Sequence, residues 1–316
     1  MQGLVLSGAN NFFAVRTPEG NVVRCSIKGK KLKEIRGYYN PLAPGDTVDI
    51  EYDTLHPDQG QITALIPRCN GFARWNQKTR SPQLLAANID LLLCVTTPAN
   101  PPFRPRFTDR TLVQAASEGI PTLIIVNKID LGIPESVRER IRDWQRIGLQ
   151  VCEVSAKTGE GLEPLARLLS GKTCAVTGQS GVGKSSLLNS LDPSLALKTA
   201  DISFKYDRGI HTTTQGIFLP MTFTAHDGTQ LSFNIIDTPG IRHFALWGIK
   251  PEEIIFYFPE MEKAAIQCAF GLSCSHIHER GCRILEELSA GHIHPDRYES
   301  WRSMHDELTL LTADEY

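Results

Sequence analysis

Over the first sixty-odd positions, apolar and polar residues alternate in short runs. Phe12 to Arg16, Val22 to Ile27, Thr47 to Tyr52 and Gln61 to Leu65 each carry the two-residue period of a half-buried strand, and the turn formers Pro18-Glu19-Gly20, Pro44-Gly45-Asp46 and Asp58-Gln59-Gly60 punctuate them. This pattern predicts an all-β unit that suits a five-stranded OB barrel, a fold whose open face often binds nucleic acid. Further along, the alternation gives way to mostly apolar stretches: Leu123-Ile124-Ile125-Val126, Val151-Cys152-Glu153-Val154, Cys174-Ala175-Val176-Thr177 and Asn234-Ile235-Ile236. Helix-compatible segments, Gly161 to Leu169 and Ser186 to Asn189, lie between them, so the middle of the chain reads as an α/β unit.

The third of these stretches runs into Gly178-Gln179-Ser180-Gly181-Val182-Gly183-Lys184-Ser185, a G-x-x-x-x-G-K-S loop followed by Ser186 at the head of a helix. Its glycines let the backbone wrap a polyphosphate so that amide N–H groups and a helix N-terminus face the charge. Lys184 is placed to neutralise the outer phosphates, and Ser185 to ligate Mg²⁺. The chain therefore reads first as a nucleoside triphosphatase.

The base follows from three further motifs, each at the C-terminal end of an apolar stretch. Asn127-Lys128-Ile129-Asp130 is an N-K-x-D, in which the Asp130 carboxylate can accept from the N1–H and the exocyclic amine of guanine together, a pairing adenine does not offer. Ser155-Ala156-Lys157 can turn a backbone amide toward the guanine O6. Asp237-Thr238-Pro239-Gly240 is a D-x-x-G whose carboxylate can hold a Mg²⁺ water and whose Gly240 N–H can reach a γ-phosphate. In ordinary small GTPases the phosphate loop comes first and the base-reading motifs last. Here Asn127 and Ser155 precede Gly178 and Asp237 comes last, so the domain is circularly permuted, with Gly161 to Lys172 bridging the former ends.

Composition changes the picture little, but charge distribution and cysteines add to it. The chain has 316 residues, is 41% hydrophobic and 22% charged, and carries a formal net charge of −2. It has no basic-then-apolar leader and no apolar run of membrane-spanning length, which makes the cytosol the default compartment. Residues 1–80 hold 11 Lys and Arg against 7 Asp and Glu, with Lys28, Lys30, Lys31, Lys33 and Arg36 in one loop beside Tyr38 and Tyr39, an arrangement suited to nucleic acid. Residues 247–316 hold 6 against 13, a poor phosphate-binding balance. Of eight cysteines, Cys25, Cys69, Cys94, Cys152 and Cys174 are scattered and read as reduced, mostly buried thiols. Cys268, Cys274 and Cys282 cluster with His276 as C-x5-C-x-H-x5-C, a donor set for one tetrahedral Zn²⁺, whereas His292 and His294 read as surface histidines.

Together with Ala86-Ala87-Asn88-Ile89-Asp90, Arg208-Gly209-Ile210-His211-Thr212-Thr213-Thr214, Asp237 to Ile241 and Arg297-Tyr298-Glu299-Ser300, these motifs make the chain resemble the ribosome small subunit-dependent GTPase A family, RsgA, over nearly its whole length. The resemblance implies an OB-fold at 1–68, a linker and permuted GTPase domain at 69–245 and a small, mostly helical zinc-binding domain at 246–316. It also implies GTP/GDP, Mg²⁺ and one Zn²⁺ as cofactors, the small (30S) ribosomal subunit and its rRNA as partners, and subunit-stimulated GTP hydrolysis by a cytoplasmic monomer during late subunit maturation. Ile241 stands where Ras-like GTPases carry the water-orienting Gln. By resemblance, His211 takes that role and Thr213 joins Ser185 on the metal, with Lys184 completing the catalytic set. Two departures from the family pattern are visible, x5 rather than x4 between Cys268 and Cys274, and Arg280 where the family has Pro before Gly281-Cys282; the first leaves His278 as a possible substitute ligand. Two other functional classes fit the same motifs: a permuted GTPase acting on another RNA or a membrane complex, and a GTP-gated RNA-binding module.

Overall fold

In the computed structural model, residues 1–9, 11–28, 38–56, 58–195, 216–238 and 244–313 are described. The expected His211, Thr213 and Gly240, with Lys30, Lys31, Lys33 and Arg36 of the basic loop, lie outside them.

Five strands close the N-terminal barrel in the order β1-β2-β3-β5-β4: β1 Gln2–Ala9, β2 Phe12–Arg16, β3 Val22–Ile27, β4 Thr47–Tyr52 and β5 Gln59–Leu65. Closure comes from the parallel pairing of β3 with β5 and the antiparallel pairing of β1 with β4. Val5, Phe13, Val15, Val23, Cys25, Val48, Ile50 and Ile62 fill the interior, one from each inward-facing pleat position. Alternation finds four of these strands and misses β1, because Gly3, Ser7 and Gly8 dilute its apolar signal. It also reads Gln59 and Gly60 as turn, whereas β5 already runs through them. Gly60 is required there by packing, since a Cβ would sit 2.9 Å from the Glu51 carbonyl oxygen of the neighbouring strand.

A hairpin of β6 (Gly71–Asn76) and β7 (Ser81–Ala87) leads from the barrel into a six-stranded sheet. The sheet has the order β10-β9-β8-β11-β13-β12, built from β8 Leu91–Thr96, β9 Thr122–Val126, β10 Gln150–Glu153, β11 Thr173–Gly178, β12 Ile217–Thr224 and β13 Gln230–Asp237. All neighbours pair parallel except the edge pair β12–β13. The central strands are apolar throughout because both faces are covered. On one face Leu93, Val95, Val176 and Ile235 pack against α3 (Leu162–Leu169) and α4 (Lys184–Leu191). On the other, α1 (Pro105–Ser117) and α2 (Glu135–Arg146) cover the sheet, and Leu92, Ala175 and Ile236 share a core with the C-terminal helices α5 (Pro259–Ile266), α6 (Arg283–Ser289) and α7 (Pro295–Ala313). Ile254, Phe258, Met261, Ile284, Trp301 and Met304 belong to that core, so the C-terminal helices are packed onto the sheet by shared apolar burial. Among the described residues no helix is long and apolar enough to cross a membrane.

Candidate nucleotide and metal sites

β8, β9, β10, β11 and β13 all point their C-terminal ends toward one edge of the sheet, and the sequence motifs sit in the turns that leave it. Crevices of this kind, outside the carboxyl ends of parallel strands, are where open α/β sheets bind ligands. The phosphate loop leaves the central strand β11 and enters α4 at Lys184, with Gly183 in the left-handed region at φ +91°. A Cβ on Gly183 would lie 2.6 Å from the Asn127 side-chain nitrogen, so only glycine lets the two motifs close on one another.

Asn127, 1% exposed, is the knot of the site. Its side-chain amide donates to the carbonyl oxygens of Val182 at 3.0 Å and Gly183 at 3.4 Å, while its Oδ1 accepts from the Ala156 amide at 3.1 Å. One side chain thus ties the N-K-x-D turn to both the phosphate loop and the S-A-K loop. Lys128 arches over the same loop, its Nζ donating to the Gly181 carbonyl oxygen at 2.7 Å and to that of Asn100 at 2.5 Å. Asn100 belongs to the turn after β8, which the sequence motifs do not mark, and Pro101 in the same turn lies 3.5 Å from where a Cβ of Gly181 would be.

Ser155 is fully buried and its hydroxyl donates to Asp130 Oδ1 at 2.7 Å, holding that carboxyl below its ordinary range with help from Lys157, whose Nζ is 3.7 Å away. Asp130 is thereby fixed as an ionised acceptor. The Ala156 carbonyl oxygen accepts from Ser190 of α4 at 2.7 Å, which pins the S-A-K loop to the helix behind the phosphate loop. Of the remaining phosphate-loop residues, Ser180, Gly181 and Ser186 are exposed, and Gln179 and Ser185 are half-buried.

Lys184 Nζ rests on the carbonyl oxygens of Gly178 at 2.9 Å and Gln179 at 3.3 Å. Burial pulls its pKa down and Asp237 pulls it back up. Burial pushes the Asp237 carboxyl up to about 6, opposed by Lys184, and Asp237 Oδ1 is a buried oxygen with no hydrogen-bond partner among the described residues. A desolvated carboxylate oxygen left without a donor beside a phosphate loop fits a divalent cation or its water. The next residue is anchored, since Thr238 Oγ1 donates to the Val176 carbonyl oxygen at 2.7 Å.

From Phe244 onward the chain is anchored to the nucleotide-binding part. The Gln114 side chain of α1 accepts from the Trp247 amide at 2.8 Å and donates to the Trp247 carbonyl oxygen at 3.0 Å. Phe244 stacks on Phe72, with centroids 5.5 Å apart, and Trp247 on Trp75 at 5.5 Å and 15°. No short motif signals these anchors in the sequence.

Far beyond the nucleotide loops in sequence, Cys268, Cys274, His276 and Cys282 bring one donor atom each to within 4.8 Å of one another. Three thiols and an imidazole gathered this closely are a donor set compatible with a structural zinc site. A single 3-10 turn, Gly271–Ser273, lies between Cys268 and Cys274. His278 is exposed and takes no part in the cluster. The Tyr298 hydroxyl donates to the His276 carbonyl oxygen at 2.8 Å, supporting a donor residue whose own φ is +55°.

Comparison with known proteins matches residues 65–247 to the RsgA GTPase family. The chain is 37% identical over 307 residues, 97% of both chains, to the small ribosomal subunit biogenesis GTPase RsgA of Gemmatimonas aurantiaca. The chain belongs to the RsgA GTPase family. Another RsgA, from Chlorobaculum tepidum, is 36% identical over 98% of both chains. Among solved structures, YjeQ from Thermotoga maritima superposes with a TM-score of 0.71 at 29% identity over 98% of both chains. A second, YloQ, described as a circularly permuted GTPase, has a TM-score of 0.64 at 23% identity over 98% of this chain and 94% of its own, a likeness of fold. As an RsgA-family GTPase the chain takes a guanine nucleotide, and the cysteine–histidine cluster is compatible with zinc.

Proposed function

We propose that this RsgA-family protein is a small-subunit biogenesis factor: a cytoplasmic monomer that docks on the small (30S) ribosomal subunit and its rRNA, hydrolyses GTP when docked, and leaves in the GDP form. The observation that carries the nucleotide half is the Asn127 knot, which holds the base-reading and phosphate-binding loops in one unit. In this reading Asp130, with Asn127, Lys128 and the Ser155-Ala156-Lys157 loop, reads guanine. Residues Gly178 to Ser186 hold the phosphates, with Gly240 at the γ-phosphate. Ser185, Thr213 and Asp237 serve Mg²⁺, His211 orients water, and Cys268, Cys274, His276 and Cys282 hold Zn²⁺. Residues 1–68 contact RNA, 69–245 bind and hydrolyse GTP, and 246–316 form the zinc-stabilised part.

The subunit half rests on likeness to relatives named for small-subunit biogenesis. It is tested by GTP turnover with and without purified small subunits: a large, subunit-specific stimulation is expected, and equal turnover with large subunits or none overturns the reading. His211→Ala should keep GTP affinity while lowering stimulated turnover by roughly 10²–10⁴-fold, the usual cost of losing a positioned acid–base or water-orienting group.

A further inference from the structure

The loop that carries His276 is folded around a carboxylate outside the four converging donor groups. Glu279 Oε1 accepts from the Ser275 amide at 2.8 Å, and its Oε2 accepts from the amides of Ile277 and His278 at 3.2 and 3.3 Å. The amide that Glu279 skips, that of His276, donates to Cys274 Sγ. Four successive N–H groups are thus divided between one carboxylate and one sulfur. Neighbouring amides converge on an anion in this way where the backbone turns through the left-handed region, and His276 makes that turn at φ +55°. Its ring then enters the cluster, with Nδ1 3.2 Å from Cys282 Sγ. The main chain of Glu279 reaches the last donor as well: its carbonyl oxygen accepts from the Cys282 amide at 3.1 Å, across a turn in which Gly281 has φ +82°. Glu286 and Glu287 nearby pair with Arg283, whereas Glu279 is in no ion pair among the described residues. Backbone amides are what hold its charge.

We propose that Glu279 is a positioning residue for the zinc site, its carboxylate shaping the loop 275–278 so that Cys274 and His276 face the metal before it binds. The inference rests on the zinc assignment proposed above and adds to it a residue outside the donor set. A left-handed backbone at a non-glycine residue is disfavoured in a free loop, and three bonds to one ionised carboxylate offset that cost. The other two sulfurs are served from elsewhere: Cys268 accepts from the amides of Phe270 and Arg283, and Cys282 from those of Ile284 and Leu285. Those amides lie in or beside the 3-10 turn Gly271–Ser273 and α6, which order them. Residues 275–278 belong to no helix or strand, so their shape is left to Glu279 from within and to the Tyr298 hydroxyl on the His276 carbonyl oxygen from outside.

The test uses the full-length protein, with Zn²⁺ affinity measured by competition against a chromogenic chelator and the donor set read from the absorption of the Co²⁺-substituted form. Glu279→Gln keeps the length of the side chain but turns an NH₂ group toward amides that need an acceptor. It and Glu279→Ala should bind Zn²⁺ about 10- to 100-fold more weakly, the usual loss when a group that orients metal ligands is removed. Glu279→Asp keeps the charge on a shorter stem and should recover part of that loss. Arg280→Ala, at the exposed neighbouring position, should match the parent. The Co²⁺ forms should all keep the parent's sulfur-to-metal and d–d bands, because the donors are unchanged. GTP affinity should also match the parent, which reports that the nucleotide-binding part is folded; if Glu279→Ala does not fold, Glu279→Gln decides. Zn²⁺ affinity within about threefold of the parent in the Gln variant overturns the proposal. So do altered Co²⁺ bands, which would make Glu279 a ligand, and an equal loss in Arg280→Ala, which would make the effect a general one of the loop. Parent protein that holds no zinc overturns the zinc assignment and this inference with it, whereas one tightly held ion with an indifferent Glu279 defeats the inference and leaves the assignment standing.

Discussion

Arg297 of α7 donates from its guanidinium to the Asp109 carboxylate of α1 at 2.8 Å, with both side chains buried. Asp109 also accepts from Arg140 of α2 at 2.8 Å and from Ser300 at 2.6 Å, and Arg297 reaches Glu260 of α5 at 2.6 Å. The paired carboxylates hold the Arg297 guanidinium charged despite full burial. Two residues of the Arg297-Tyr298-Glu299-Ser300 motif therefore fasten the C-terminal helices to the nucleotide-binding part, and Tyr298 beside them supports His276.

Removing one partner of such a node leaves buried charge without compensation. Asp109→Asn should cost about 3–5 kcal/mol and lower the melting temperature by on the order of 10 °C, while Ser300→Ala should cost only about 1 kcal/mol. Thermal unfolding of the two variants checks the order. An Asp109→Asn protein that melts with the parent would remove the node from the account of stability.

Asp237 makes stability and function pull in opposite directions. Its folded pKa of about 6 lies above the ordinary 3.8, so between these values the folded state binds more protons than the unfolded one and stability falls as pH rises. Above pH 6 the ionised, buried carboxylate costs on the order of 3 kcal/mol in the nucleotide-free protein. Asp237→Asn should therefore raise the nucleotide-free melting temperature at pH 7.5, lose that advantage by pH 4, and weaken the Mg²⁺ dependence of GTP binding. A melting temperature unchanged at both pH values would contradict the assigned cost.

Guanine reading is open to a specificity swap. Asp130→Asn removes a charge-assisted acceptor for two guanine donors, each worth about 1.5–3 kcal/mol, so GTP affinity should fall by several orders of magnitude. Xanthine carries a carbonyl where guanine has its amine, and an Asn amide can donate to it. Competition between the two triphosphates should then favour xanthosine triphosphate; continued preference for GTP would place the base elsewhere.

Zinc should be present at about one ion per chain and be lost on acidification, because its thiolates protonate as pH falls. Cys274→Ser should loosen α5 to α7, read by limited proteolysis, while GTP affinity stays near that of the parent because no residue of the nucleotide loops is a donor. Carefully prepared protein with no stoichiometric metal in elemental analysis would end the zinc assignment.

Much of the architecture and the motifs of the candidate site can be read from the sequence alone. Glycine spacing around Lys184, the N-K-x-D and S-A-K turns and their reversed order depend on local backbone and side-chain type, which neighbours in the chain encode directly. Four barrel strands were legible because one face of each is buried and the period of two survives. Tertiary structure decided what depends on residues far apart in sequence. The first strand is held by its pairing with β2 and β4 despite its glycines. Asn127 acts on loops 29 and 55 positions away, and Gln114 fixes a backbone 133 positions on. Asp109 looks like an ordinary helix carboxylate until folding buries it against Arg140 and Arg297. Burial and register set those roles, and both are properties of the closed fold that no short stretch of chain contains.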